Sequence, residues 1–205
     1  GLGRDFSQPI NFEGIDAVIH LAGENIAEGR WSKTKKDLIK SSRVDNTQKL
    51  SNQIYNSEYK PSVFISASAI GFYGDTGSDL ITEKSPAGKG FLPEVSIEWE
   101  AATKPIENAG VRTVHLRTGI VLSKKGGALK KMLPPFYAGG GGILGSGKQY
   151  MSWISIDDMV RAIKFLIYED SLNGPYNLTA PNPVTNKEFT KILGKVIKRP
   201  TILPL

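Results

Sequence analysis

Cysteine is absent from this chain, and histidine occurs only twice among its 205 residues. Without cysteine, neither a disulfide framework nor a thiolate metal site can form. Both histidines, His20 and His115, lie inside apolar runs. There, an imidazole packed in the core with its hydrogen bonds satisfied is the favoured interpretation. We therefore predict no metal site.

Long apolar segments are also missing. The sequence contains no run of about 18 apolar residues, the length that a membrane-spanning helix needs, and no signal-peptide pattern is seen at its start. We therefore expect a soluble, cytoplasmic protein with no membrane partner. A length of 205 residues with 40% hydrophobic and 22% charged residues suits one globular domain, or one domain with a small appendage.

Charge is unevenly distributed, with a formal net charge of +6. The basic residues concentrate in two segments: Lys33, Lys35, Lys36, Lys40 and Arg43, and then Lys124, Lys125, Lys130 and Lys131. Two interpretations stay open, namely solvated helix faces and attraction for an anionic ligand such as a dinucleotide or nucleotide sugar. No aromatic interleaving or motif supports nucleic-acid binding, so no nucleic-acid partner is predicted.

Three apolar runs alternate with helical sequence, and the first two of them end in small residues. They cover 16–23, 62–69 and 112–122. A buried parallel strand has this composition when its C-terminal edge must let a flat ligand approach the backbone. The alternation predicts an α/β fold, in which a parallel sheet carries helices on both faces.

The coarse pattern gives the following elements. Strands are predicted at 15–22, 62–68, 112–118, 151–155 and 176–178, and helices at 32–56, 93–109, 156–170 and 185–197. The glycine- and proline-rich region 123–152 is predicted to be an excursion from the sheet.

Seven segments resemble the epimerase-like branch of the extended short-chain dehydrogenase/reductase superfamily, which includes sugar-nucleotide epimerase-like proteins. They are AVIHLAGENI at 17–26, SRVDNTQKL at 42–50, ISASAIGFYGD at 65–75, EWEAATKP at 98–105, LRTGIVLSKKGGAL at 116–129, SWISIDDMVRAI at 152–163 and GPYNLTAPNPVTNKEF at 174–189. They occur in the family's order over nearly the whole chain, so the resemblance is specific.

The resemblance implies a Rossmann-type sheet and a division of labour along the chain. Residues 1–122 and 151–180 would form a partial NAD(P)-binding domain. Residues 123–150 and 181–205 would form a substrate-side excursion and the start of a C-terminal lobe. Members of this superfamily often dimerise through helices, which makes a homodimer an assembly to consider.

The resemblance also implies a cofactor site at the strand ends. The candidate residues are Leu21, Ala22, Gly23, Arg43, Ser66 and Val121. The first three would lie along the adenosine ribose, and Arg43 would reach a phosphate, a task that suits its permanently charged planar fork. Val121 would meet the nicotinamide end. The alternative for Arg43 is an arginine on a helix surface, and the alternative for Val121 is a valine of the core. Arg43 and the positive net charge favour NADP, with NAD as the alternative.

A dinucleotide fold begins with a strand, a glycine-rich turn and a helix N-terminus that holds the pyrophosphate. Residues 1–4 offer neither the strand nor the helix pattern. By comparison with the family, we expect about one βαβ unit, on the order of 50 residues, to be missing before residue 1. Residues 1–205 alone are then expected to bind a dinucleotide poorly.

The superfamily normally uses a tyrosine with a lysine four residues later on one helix, because the lysine lets the phenol exchange a proton near neutral pH. None of the seven tyrosines has that lysine, and the expected helix reads EVSIEWE at 94–100.

Substitutes for that pair are few. Ser68 aligns with the superfamily serine, or is merely a small strand-edge residue. Tyr73 is a proton donor or an aromatic wall of the pocket. Glu98 and Glu100, two residues apart, cannot share a helix face; either could be a pocket carboxylate, but surface positions are favoured.

Two functions of different class follow. One is an enzyme that transfers hydride between a nicotinamide and a small carbonyl or hydroxyl compound, or a nucleotide sugar. Its proton route would use Ser68, Tyr73 or ordered water. The other is a catalytically silent dinucleotide-binding module with a regulatory or protein-interaction role, which the absent tyrosine–lysine pair favours.

Overall fold

The computed structural model describes residues 6, 8–201 and 203–204. Its strands are β1 (Ala17–His20), β2 (Val63–Ala69), β3 (Arg112–Thr118), β4 (Ile120–Leu122), β5 (Gly142–Ile143), β6 (Tyr150–Met151), β7 (Trp153–Ser155), β8 (Gly174–Leu178), β9 (Val184–Thr185) and β10 (Leu203–Pro204). Its α-helices are α1 (Lys33–Ser41), α2 (Val44–Asn56), α3 (Phe91–Ala101), α4 (Lys104–Asn108), α5 (Gly127–Tyr137), α6 (Ile156–Tyr168) and α7 (Asn186–Ile197), with a 3₁₀ turn at Ile70–Tyr73.

The central sheet is parallel and has the strand order β1-β2-β3-β8. In the β1–β2 pair, Ala17 lies opposite Val63 and His20 opposite Ser66. Strand β2 is buried along most of its length, as expected for an inner strand covered on both faces. The predicted α/β fold with a parallel sheet is confirmed.

The predicted helix 32–56 is two helices, because the chain breaks at Ser42 and Arg43. The Ser42 hydroxyl donates to the carbonyl of Ile39 and accepts from the backbone N–H of Glu24. A serine that bonds to nearby backbone in this way offers the chain an alternative to continuing the helix. The predicted helix 93–109 also divides, at Thr103, whose hydroxyl donates to the Glu100 carbonyl.

The region 123–152 contains a helix that the sequence did not predict. Helix α5 holds Pro134 and Pro135 inside its last turn and ends at Tyr137. Proline lacks the N–H that a helix interior uses. The two prolines therefore argue against a helix when the sequence alone is considered. The predicted strand 151–155 is divided between β6 and β7.

The chain forms two compact units. Unit 1 contains the described residues up to Gly74, with Glu83–Arg117 and Ile163–Tyr176; unit 2 contains Asp75–Thr82, Thr118–Ala162 and the described residues from Asn177 onward. Unit 1 has a core of Phe12, Leu50, Ile54, Phe64, Ile106 and Val111. Unit 2 has a core of Phe136, Met151, Phe189 and Leu193. The predicted substrate-side segments 123–150 and 181–205 both fall in unit 2, and their functional division stays a prediction.

Two classes of feature are not found in the described part of the chain. None of its helices is both long enough and apolar enough to cross a membrane. No group of three or more histidine, aspartate or glutamate side chains there is arranged to hold a metal ion.

Candidate functional site

The C-terminal end of β1 carries the first predicted cofactor residues. Leu21 is 49% exposed, and Ala22 and Gly23 are half-buried. A Cβ placed on Gly23 would lie 3.0 Å from the Cζ of Arg43. Gly23 therefore lets the guanidinium approach the backbone directly after the strand, where any larger residue would press against it.

Arg43 is tied to this strand end rather than extended into solvent. Its guanidinium donates to the carbonyls of Glu24 and Ile39, at 2.9 and 3.1 Å, and lies 5.2 Å from the Trp99 ring centroid. Burial lowers the pKa of Arg43, and the Glu24 carboxylate partly offsets that effect. An arginine keeps its charge through such shifts, so a fixed cation lies against the strand end where a dinucleotide is predicted.

Ser66 and Val121 have surroundings of other kinds. Ser66 is fully buried, and its hydroxyl donates to the carbonyl of Ala67. Val121 belongs to unit 2, where β4 pairs with β7 and places it opposite Ile154. The cofactor roles of both residues stay predictions.

Ser68, near the end of β2, makes a short hydrogen bond to a side chain of α3. Its hydroxyl donates to Oε1 of Glu100 at 2.6 Å, and the Ser68 residue is 5% exposed. The favoured surface position of Glu100 is therefore wrong, since its side chain is only 13% exposed. Glu98 does lie at the surface, where it pairs with Lys40 at 2.7 Å.

Arg117, on β3, joins Glu100 to Tyr73. Its Nε and Nη2 donate to the two carboxylate oxygens of Glu100, each at 2.8 Å, and its Nη1 donates to the Tyr73 hydroxyl at 2.9 Å. Phe72 covers the guanidinium, with 3.5 Å between Cζ and the ring centroid. The structure thus brings together both predicted catalytic residues, Ser68 and Tyr73, within one charged network in unit 1.

Neither Glu100 nor Arg117 was predicted as a site residue. The available signal was Arg117 itself, an arginine inside the apolar run of a central strand. A charge in that position must find a partner or incur a large desolvation cost. The sequence did not indicate which carboxylate would supply the partner.

The network keeps its carboxylate ionised. Burial by itself raises the pKa of Glu100, but the hydrogen bonds from Arg117 and Ser68, with the charge of Arg117, outweigh it and lower the pKa. Next to this network, His115 Nε2 lies 2.9 Å from the Thr103 hydroxyl. Burial lowers the pKa of His115 despite the opposing charge of Glu100, which favours a neutral imidazole.

Acid is therefore expected to weaken unit 1 through Glu100. A carboxyl group whose pKa is lowered by folding stabilises the fold above its unfolded pKa, here about 4.5, and loses that contribution as the pH falls through the folded pKa. Urea unfolding followed from pH 7 to pH 3 should show a loss below about pH 4.5 that Glu100→Gln lacks. His115 destabilises the fold below its own unfolded pKa in both proteins, and more strongly in the variant, which lacks the opposing charge of Glu100. Equal slopes below pH 4.5 in wild type and variant would contradict the assignment.

The other histidine, His20, packs between two rings. Its ring centroid lies 5.7 Å from that of Phe6, edge-on, and 6.4 Å from that of Phe64. Its Nε2 has no hydrogen-bonding partner within the described residues. The predicted core position is thus confirmed for both histidines, and the predicted hydrogen-bonded imidazole is seen at His115.

Comparison with known proteins gives one consistent family. The model of the NAD dependent epimerase/dehydratase family matches residues 4–179. An epimerase family protein of Mycobacterium bovis is 47% identical over 191 residues, which is 93% of this chain and 63% of that protein. A chloroplastic epimerase family protein of Arabidopsis thaliana is 45% identical and covers 94% of this chain and 56% of its own length.

A solved structure agrees with these relatives. The human epimerase family protein SDR39U1 (isoform 2), crystallised with NADPH, superposes with a TM-score of 0.91 at 32% identity. The match covers 98% of this chain and 68% of the human chain. This chain spans 63% of the length of the mycobacterial relative. The superposition confirms the predicted Rossmann-type fold.

Proposed function

The chain belongs to the NAD dependent epimerase/dehydratase family, and on that basis we propose that it binds NADP and supports hydride transfer at the Ser68–Tyr73 site. The observation that carries the proposal is the network in which Arg117 and Glu100 hold both hydroxyls in one place. The substrate class is a small carbonyl or hydroxyl compound, or a nucleotide sugar.

The residues after β1 fit a dinucleotide. Ala22 and Gly23 place little side chain over the backbone, so a flat ligand can lie close to it. Arg43 supplies a cation that is held by backbone carbonyls rather than neutralised by a bidentate carboxylate. Such a charge suits a phosphate group, and an additional phosphate is what distinguishes NADP from NAD.

When bound, the nicotinamide would accept or supply the hydride. The protein must then manage the proton on the substrate oxygen. Ser68 and Tyr73 are the hydroxyl groups that unit 1 places on either side of the Glu100–Arg117 pair. In this proposal, they bind the substrate oxygen and pass its proton, in place of the absent tyrosine–lysine pair.

One observation favours the rival function, a dinucleotide-binding module without catalysis. Trp99, in the middle of α3, is buried and donates to the Thr47 hydroxyl at 3.0 Å. The helix on which the superfamily places its lysine therefore carries a buried indole side chain at this position. A silent module would bind NADPH and oxidise none of it over a broad panel of carbonyl compounds.

The experiment that tests cofactor binding is a fluorescence titration with NADPH and, separately, NADH, on the whole protein beside residues 1–205 alone, which are expected to bind a dinucleotide poorly. We expect NADPH to bind more tightly than NADH, with the human relative as a positive control. Arg43→Met should weaken NADPH binding roughly tenfold, which corresponds to one charge-assisted hydrogen bond of about 1.5 kcal/mol.

Lys40→Met is the matched control, because Lys40 is a basic residue of α1 whose ion pair with Glu98 lies at the surface. It should leave NADPH affinity within about twofold, as exposed pairs contribute little. Absence of NADPH binding by the whole wild-type protein would overturn the proposed function. Equal losses in Arg43→Met and Lys40→Met would instead indicate a general effect of positive charge.

The remaining expectations are also proposals. We propose a cytoplasmic location, which differs from that of the chloroplastic relative, and a homodimer; neither nucleic acid nor a membrane is proposed as a partner. The two basic segments would be attributed to nucleic acid only if oligonucleotide affinity fell steeply with salt.

A further inference from the structure

Two side chains outside the predicted site determine where its hydroxyls point. We infer that Glu100 and Arg117 are positioning residues, with Glu100 fixing the Ser68 hydroxyl and Arg117 fixing the Tyr73 hydroxyl for the reaction. This inference rests on the proposed function of Ser68 and Tyr73. It adds two residues that the resemblance to the superfamily did not indicate, one of them on the helix where that pattern expects tyrosine and lysine.

The geometry leaves these groups little freedom. The two parallel hydrogen bonds between Arg117 and Glu100 form the planar fork that guanidinium and carboxylate groups make best. The third arm of the same guanidinium donates to Tyr73, and Phe72 closes one face. A lysine at position 117 could not reproduce this arrangement, because an ammonium is a point charge without a planar fork.

Each hydroxyl receives a defined orientation from its charged neighbour. The Ser68 hydrogen is donated to Glu100, so the lone pairs of Ser68 point away from the carboxylate. Arg117 donates into the Tyr73 oxygen, so the phenol hydrogen is directed away from the guanidinium. Each charged neighbour thereby fixes one hydroxyl: Ser68 keeps its lone pairs as acceptors, and the Tyr73 oxygen is held by the guanidinium.

A direct catalytic role for Glu100 is less consistent with its surroundings. A general base works best when its pKa lies near the working pH, whereas the pKa of Glu100 is lowered by its partners. Three hydrogen bonds from Arg117 and Ser68 already engage its two oxygens. Glu100 is therefore suited to holding a neighbour and poorly suited to taking the substrate's proton.

The absence of cysteine permits a direct test that does not depend on turnover. Ser68→Cys introduces the single thiol of the protein, and its thiolate can be titrated by absorbance near 240 nm with the wild-type chain as blank. A neighbouring carboxylate disfavours a thiolate and a neighbouring guanidinium favours it. The pKa of the new thiol therefore reports which charged group it faces.

Three variants in the Ser68→Cys background give distinct expected results. Glu100→Gln should lower the thiol pKa by at least one unit, equivalent to a tenfold change in the dissociation constant, because Arg117 then acts alone. Arg117→Met should raise it. Glu98→Gln, a change two residues away on the same helix at a surface pair, should leave it within about 0.3 unit.

Circular dichroism checks that each variant is folded. Because the two charge variants are expected to shift the thiol pKa in opposite directions, either one alone still tests the inference if the other fails to fold. Shifts of less than about 0.3 unit in the folded charge variants, comparable to the Glu98→Gln control, would overturn the inference.

A kinetic arm separates positioning from mere stability. With NADPH and 9,10-phenanthrenequinone as the carbonyl probe, Glu100→Gln and Arg117→Lys are expected to lower kcat by roughly 100-fold, the order of effect that misplacement by about 1 Å produces. The KM for NADPH should stay within about twofold of wild type. A rise in KM at unchanged kcat would overturn the inference. If wild type binds NADPH without turnover, the proposed reaction fails, while the thiol titration still tests the placement of Glu100 and Arg117.

Discussion

Glu100→Gln is expected to lower the free energy of unfolding by about 3 kcal/mol, measured by urea denaturation at pH 7. The reason is that Arg117 would keep its charge at a side chain only 5% exposed. Removing one partner of a buried ion pair typically costs about 3–5 kcal/mol. We expect a loss of stability near the lower end of this range, because the amide oxygen of glutamine can still accept one guanidinium N–H.

The double variant Glu100→Gln/Arg117→Met separates the pair from its environment. With no charge left to bury, it should be more stable than Glu100→Gln alone, and the two substitutions should show a coupling energy of about 2 kcal/mol. Glu98→Gln is the matched control and should stay within about 0.5 kcal/mol of wild type. A Glu100→Gln protein as stable as Glu98→Gln would contradict a buried pair.

Hydrophobic patterning was sufficient to predict the two inner strands of the sheet. Strand β3 coincides with the predicted 112–118, and β2 begins and ends one residue later than predicted. Such strands are buried on both faces, so they appear in the sequence as continuous apolar runs. The helix breaks at Ser42 and Thr103 were not predicted, since they depend on hydroxyl contacts to backbone that neither periodicity nor propensity reveals.

The candidate site was predictable in part. Ser68 lies near the end of β2 and Tyr73 follows that strand closely, so the sequence could place both near one sheet edge. The Glu100–Arg117 pair depends on which face α3 turns toward β2 and β3. That orientation is decided by tertiary packing, including the buried hydrogen bond between Trp99 and Thr47. A helix with two glutamates two residues apart presents them on different faces, and the sequence did not distinguish the buried carboxylate from the exposed one.

Gly88→Ala is expected to reduce catalysis through Tyr73. A Cβ at Gly88 would lie 2.6 Å from the carbonyl carbon of Tyr73 and 2.8 Å from the nitrogen of Gly74. Both atoms belong to backbone, so neither can move aside by a change of rotamer. The backbone N–H of Gly88 also donates to the Phe72 carbonyl at 2.9 Å, which ties the two segments together. The methyl group must therefore displace the turn that carries Tyr73.

The displacement should be visible in two measurements. Overpacking of this kind costs about 1–3 kcal/mol of unfolding free energy, and a shift of about 1 Å in Tyr73 should lower kcat roughly 100-fold. Gly71→Ala is the matched control in the same turn, because its Cβ would meet Leu92 at an ordinary 3.6 Å. In a Tyr73→Phe background, Gly88→Ala should reduce kcat much less, since the hydroxyl that it displaces is already gone. Full loss in both backgrounds would mean that the glycine supports the reaction by a route other than Tyr73.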